Sequence, residues 1–230
     1  MSADSDFEDG PNLFAEPEMI ITHRHQNQQQ KLIHSSLVNT YFTSLLELGA
    51  GAGLPSLTCA SLRAKKVVVT DYPDVDLIVN LRKNISVFYE QFPELKVVDE
   101  ESLVAEGYCW GAGPSPLLSL LPLEDREAGF DVLILADLLF NHSEHAKLLD
   151  SIQKTLKKSK DSTALVFFTP YRPWLLEKDM AFFDLVREGG MMVEKVLEEK
   201  MEKVMFEKDR GDEELRRTVF GFIVKWAEEE

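Results

Sequence analysis

No stretch of this sequence restricts its fold as tightly as Glu47-Leu48-Gly49-Ala50-Gly51-Ala52-Gly53. It lies between an apolar run, Ser44–Leu48, and a segment of helical spacing, Pro55–Leu62. Alternating glycines permit a tight strand-to-helix turn with positive φ, and they leave the backbone open to a ligand because no Cβ stands in the way. A strand feeding a helix through such a turn is the opening of a βαβ unit.

The rest of the chain continues that pattern. Lys66–Thr70 predicts a second strand ending at Asp71, and Asp74–Phe88 a helix with Ile78, Leu81 and Ile85 on one face. Ser102–Cys109 predicts a weaker third strand. Asp131–Ala136 predicts a fourth, apolar on both faces as a central parallel strand should be. Ser143–Lys157 reads as a helix, Thr163–Thr169 as a fifth strand and Leu175–Glu188 as a helix stopped by Gly189-Gly190. Met192–Leu197 and Thr218–Trp226 read as two closing strands, with the charged Glu198–Glu214 as a long exposed connection between them. The expectation is an α/β, doubly wound, mostly parallel sheet of seven strands that ends in an antiparallel hairpin. Residues 44–230 form that domain. Residues 1–43, with an acidic opening and the polar run Gln26-Asn27-Gln28-Gln29-Gln30, are expected to be a flexible arm.

The formal net charge of −15 argues against a nucleic-acid backbone as partner, and it serves either a cationic partner or plain solubility. The longest apolar stretch, Val132–Phe140, is interrupted by Asp137 and too short to cross a bilayer. With no secretory signal pattern and only two cysteines, Cys59 and Cys109, a cytosolic location with free thiols is expected.

Asp71 closes the second strand, where a carboxylate can accept hydrogen bonds from ribose hydroxyls. With the glycine turn it describes an adenosine-containing cofactor across the ends of the first two strands. The dinucleotide pattern G-x-G-x-x-G requires a third glycine where Leu54 stands. The observed G-x-G-x-G, the upstream Glu47, Asp71 and the final hairpin favour S-adenosylmethionine over NAD. Trp110 is either an adenine-stacking residue or a core tryptophan. Ala136 leaves room for a cofactor, and Asp137 either caps the next segment or faces the cleft. His142 and His145 read as structural rather than metal-binding, with Ser143 as a helix N-cap and His145 in its first turn. Tyr171 and Trp174, in an aromatic and proline-stiffened loop, either wall an incoming amine through cation–π attraction or simply pack the loop.

Glu47–Gly53, Val68–Pro73, Gly107–Gly111 and the Asp-Leu-Leu-Phe-Asn-His-Ser-Glu-His run from Asp137 to His145 together resemble seven-stranded methyltransferase family 16. Within it, the Asn141–His145 run and the Thr169–Trp174 loop are similar to the fungal branch that methylates elongation factor 1-alpha at its N-terminal glycine and adjacent lysine. That branch was earlier described as nicotinamide N-methyltransferase. The resemblance implies a class I methyltransferase with S-adenosylmethionine as cofactor, a protein substrate and no metal. It carries cofactor contacts onto Gly49, Ala50, Gly51, Asp71, Trp110 and Ala136. The candidates for steering the acceptor amine are Asp137, Asn141 and Tyr171. No membrane or direct nucleic-acid contact is implied, and a monomer is expected. One departure stands out: the family has a longer segment before the first strand, including a tryptophan, whereas only Ser35–Thr43 separate His34 from Ser44 here. The alternatives are therefore a small-molecule amine methyltransferase and a methyltransferase-like protein with impaired cofactor binding.

Overall fold

A computed structural model describes residues 43–96, 101–204 and 208–227. The arm over residues 1–43 thus lies outside the described residues, apart from Thr43. Seven strands form one sheet in the order β3-β2-β1-β4-β5-β7-β6. They are β1 (Ser44–Leu48), β2 (Lys66–Asp71), β3 (Leu103–Gly107), β4 (Val132–Ala136), β5 (Thr163–Phe168), β6 (Met191–Lys200) and β7 (Thr218–Trp226). The first five pair in parallel, and β7 runs antiparallel between β5 and β6. The order reverses between β1 and β4, so a crevice opens at their carboxyl ends, the customary ligand position in an open α/β sheet.

β1 is buried along its whole length and β4 along all but its last residue, which explains their unbroken apolar sequences. Alternate residues feed two cores. Leu45, Val67, Val69, Ile134 and Phe167 face one side with helices α1 (Leu54–Ser61) and α2 (Val75–Gln91). Leu46, Leu48, Leu133, Val166 and Phe222 face the other with α5 (His145–Thr155) and α6 (Leu176–Glu188). Among the described residues there are also three single-turn α-helices: α3 (Pro93–Lys96), α4 (Ser115–Leu118) and α7 (Glu213–Arg216).

The sequence reading fails where local patterns are short. Ser143 does not cap a helix: a 3₁₀ turn occupies His142–Glu144, α5 starts at His145, and the Ser143 hydroxyl donates to Asn141 Oδ1. The exposed connection predicted over Glu198–Glu214 is shorter, because β6 pairs with β7 out to Lys200. A β-bulge between Lys195 and Leu197 breaks the alternation there and hides the strand's continuation. The same connection holds α7, capped by the Asp212 carboxylate, and its Arg216 is buried.

Candidate active site

The glycine turn is fixed by backbone bonds to the end of β2. Gly49, Gly51 and Gly53 have φ of 61°, 54° and 75°. Ala50 N–H donates to Thr70 O at 2.9 Å, and the Thr70 hydroxyl donates to Glu47 O at 2.7 Å. Gly51 N–H donates to Asp71 Oδ2 at 2.7 Å, while Asp71 Oδ1 accepts from Tyr72 N–H, also at 2.7 Å. Each carboxylate oxygen has lone-pair capacity beyond these bonds, so Asp71 can still accept from sugar hydroxyls. A Cβ on Gly51 would meet nothing within 4 Å and would point into open space. On Gly49 it would fall 2.6 Å from Leu138 Cδ2 and 3.1 Å from Trp110 Cζ2. The first glycine is thus required by packing, and the second leaves the backbone open to an approaching ligand. That cradle and a neighbouring carboxylate with spare acceptor capacity fit an adenosine-type cofactor.

Glu47 lies beneath the turn, 1% exposed. Its Oε2 accepts from the Ser56 N–H at 2.9 Å and from the Ser56 hydroxyl. Gly53 offers no side-chain cap to α1, so this carboxylate takes over one of the helix's orphan N–H groups. Burial pushes the Glu47 carboxyl up to about 7, against the pull of the Ser56 bonds and with a small addition from Asp71.

At the end of β4 the chain turns through Asp137, a non-glycine residue at φ 55°. Its N–H donates to Phe167 O at 2.7 Å, and its Oδ1 accepts from Thr169 N–H at 2.9 Å. These bonds tie the loop after β4 to the end of β5 and hold a backbone conformation that the residue would otherwise avoid. Asp137 Oδ2 stands 3.5 Å from the Tyr171 hydroxyl. Burial raises the Asp137 carboxyl to about 6, and burial first, then the Asp137 charge, holds the Tyr171 phenol well above 10.

Asp137, Phe140, Thr169, Tyr171, Arg172 and Asp179 line a recess of about 20 Å³, room for one water-sized group. Arg172 Nη2 donates to Phe140 O at 2.8 Å, joining the loops after β4 and β5. His142 Nε2 lies 2.7 Å from Asp179 Oδ1, linking the 3₁₀ turn to the start of α6. His145 Nε2 lies 2.8 Å from Leu139 O, and burial pushes its pKa down.

Of the residues singled out in the sequence, Gly49, Ala50, Gly51 and Asp71 meet in one turn. Trp110 is half-buried, packs partly on the core and abuts Gly49, which places it beside the glycine turn. Ala136 sits half-buried at the carboxyl end of β4. Asp137 and Tyr171 come together at the recess. Asn141 does not line it, and its side chain instead accepts from Ser143. Trp174 is 60% exposed, outside the recess lining, with Gly211 packed against it. Asp179 and Arg172 were not singled out. A charged residue in the first turn of a surface helix carries no sequence sign of burial.

The lysine methyltransferase family model matches residues 18–189. A Neurospora crassa protein called protein N-terminal and lysine N-methyltransferase efm7 is 58% identical over 186 residues. That alignment covers 80% of this chain and 64% of the relative, so the chain spans under two thirds of that protein. The protein of the same name from Emericella nidulans is 46% identical over 203 residues, covering 86% of this chain and 77% of the relative. Among solved structures, YcgJ of Bacillus subtilis superposes with a TM-score of 0.61 at 12% identity, covering 88% of this chain and all of that one. The precorrin-6y C5,15-methyltransferase of Geobacter metallireducens gives 0.54 at 14%, covering 93% and 95%. At those identities the likeness is one of fold.

Proposed function

We propose, starting from the fact that this chain belongs to the lysine methyltransferase family, that it is an S-adenosylmethionine-dependent protein N-methyltransferase acting on the N-terminal glycine and adjacent lysine of elongation factor 1-alpha. The observation that carries the cofactor assignment is the Gly49–Gly53 turn, open at Gly51 and bonded to the Asp71 carboxylate. The names of the fungal relatives support the acceptor class, and the net charge of −15 suits a cationic substrate. A cytoplasmic location and a monomeric state belong to the same proposal.

The cofactor, when bound, supplies a methyl group on a sulfonium that leaves as a neutral thioether without acid assistance. Gly49, Ala50, Gly51 and Asp71 would hold it, with Trp110 and Ala136 beside them. The remaining work is alignment and exclusion of water. The acceptor nitrogen must arrive neutral. An α-amine, with a reference pKa of about 7.7–8.0, meets that demand more readily than a lysine at about 10.4. Positive charge then develops on the nitrogen, and Asp137 faces it as a half-buried carboxylate steadied by the Thr169 N–H. Tyr171, held neutral, offers a hydroxyl beside it. The narrow recess suits the tip of an aliphatic amine better than a pyridine ring.

Mass spectrometry of recombinant elongation factor 1-alpha, incubated with this protein and S-adenosylmethionine, tests the proposal. Mass additions of one methyl group or more on the first two residues are expected. Methylated nicotinamide with an unmodified elongation factor would replace it with the small-molecule alternative.

A further inference from the structure

We propose that Asp179, held by His142, is a second carboxylate of the acceptor recess and receives a protonated primary amine of the substrate. The inference rests on the methyltransferase reading above and extends it to a residue from a different part of the chain. Asp179 lies in the first turn of α6, is 6% exposed and lines the same recess as Asp137. A charged group is seldom buried to that extent without a partner. Its hydrogen-bonded partner is the His142 imidazole, at 2.7 Å from Oδ1, and the Arg172 guanidinium acts on it from farther off.

The surroundings leave a place for another cation. Two carboxylates, Asp137 and Asp179, meet one guanidinium, and Arg172 spends a hydrogen bond on the Phe140 carbonyl at the rim. The Tyr171 phenol stays neutral. His145, edge-on to His142 at 5.6 Å, is engaged with the Leu139 carbonyl. A space of about 20 Å³ takes a water or an ammonium head. The proposed substrate presents two amines side by side, an α-amine and a lysine. While one is held neutral at the mouth of the recess for transfer, the other enters it protonated and needs a counter-charge. Asp179 supplies it, and the His142 bond keeps the carboxylate from swinging away.

The test measures binding without transfer. A peptide beginning Gly-Lys is titrated calorimetrically into the full chain in the presence of S-adenosylhomocysteine, for wild type, Asp179→Asn and Glu177→Gln. Asparagine keeps an oxygen for His142 and removes only the charge, and Glu177 is an exposed neighbour on the same turn. Removal of one charge-assisted bond predicts about tenfold weaker binding for Asp179→Asn, and no change for Glu177→Gln. With a twin peptide whose α-amine is acetylated and whose lysine is norleucine, wild type and Asp179→Asn should bind alike. Equal affinity of wild type and Asp179→Asn for the amine-bearing peptide, or a loss that persists with the twin, overturns the proposal and leaves the methyltransferase reading intact. Failure of wild type to bind the amine-bearing peptide at all removes that acceptor, and this inference with it. Circular dichroism of each variant confirms that the compared chains are folded.

Discussion

The backbone N–H of Gly51 donates to the Asp71 carboxylate at 2.7 Å across the ends of β1 and β2. The same carboxylate accepts from the N–H of Tyr72. Asp71 therefore shapes the glycine turn, and in the proposed function its oxygens also serve the cofactor's ribose, so a substitution there would act on both.

Replacing Asp71 by alanine strips the acceptor from two backbone donors and from the sugar. Affinity for S-adenosylmethionine should fall by about 10- to 100-fold, the equivalent of one or two charge-assisted hydrogen bonds. Isothermal titration reads this directly, and an unchanged affinity would contradict the assigned cofactor position.

Gly49 and Gly51 should respond differently to alanine. Both hold positive φ, which costs a residue with a Cβ about 1–2 kcal/mol. At Gly49 the Cβ also meets Leu138 and Trp110, adding overpacking of about 1–3 kcal/mol. Thermal unfolding without ligand should therefore show Gly49→Ala markedly less stable than Gly51→Ala. The latter variant should keep most of its stability and lose the rise in Tm that S-adenosylmethionine gives wild type.

The buried Glu47 links stability to pH. Its carboxyl is raised from 4.5 to about 7, so between those values the native state holds a proton that the unfolded chain has released. Stability must fall as pH rises through that window, and the full penalty is in place above pH 7. A shift of that size corresponds to about 3 kcal/mol. Glu47→Gln carries no titrating group, so its loss of stability between pH 4.5 and 8 should be smaller than wild type's by about that amount. Urea unfolding at a series of pH values measures the difference, and parallel curves would show that Glu47 is not the group responsible.

Asp137 should leave its mark on the pH–rate profile. Its carboxyl, raised to about 6, must be ionised to face a developing cation. Acidification first removes neutral acceptor amine, and below pH 6 it also neutralises Asp137. The logarithm of kcat/KM for an α-amine peptide should fall with a slope near one, steepening toward two below pH 6. In Asp137→Asn the rate should be about 10²- to 10³-fold lower, and the steepening should disappear.

Much of the fold was legible because its signals are local and repeated. The glycine turn, the apolar β1 and β4, and the stop at Gly189-Gly190 each follow from backbone freedom or periodicity within a few residues. Signals that depend on distant partners were not. The bulge in β6 offsets its alternation, and the register out to Lys200 is visible only beside β7. Asn141 appeared suited to the cleft from its place in the chain, yet a bond with Ser143 turns its side chain to a local use.

By itself the sequence determined that strand follows helix from residue 44 onward, that the first turn admits a ligand, and that Asp71 and Asp137 end their strands. Those properties belong to short stretches whose backbone preferences and apolar spacing act before any long-range contact forms. Only the tertiary structure decided that Asp179, from a helix after β5, shares a recess with Asp137 and pairs with His142. Burial of a charge depends on what surrounds it in space, and its neighbours along the chain do not specify that environment.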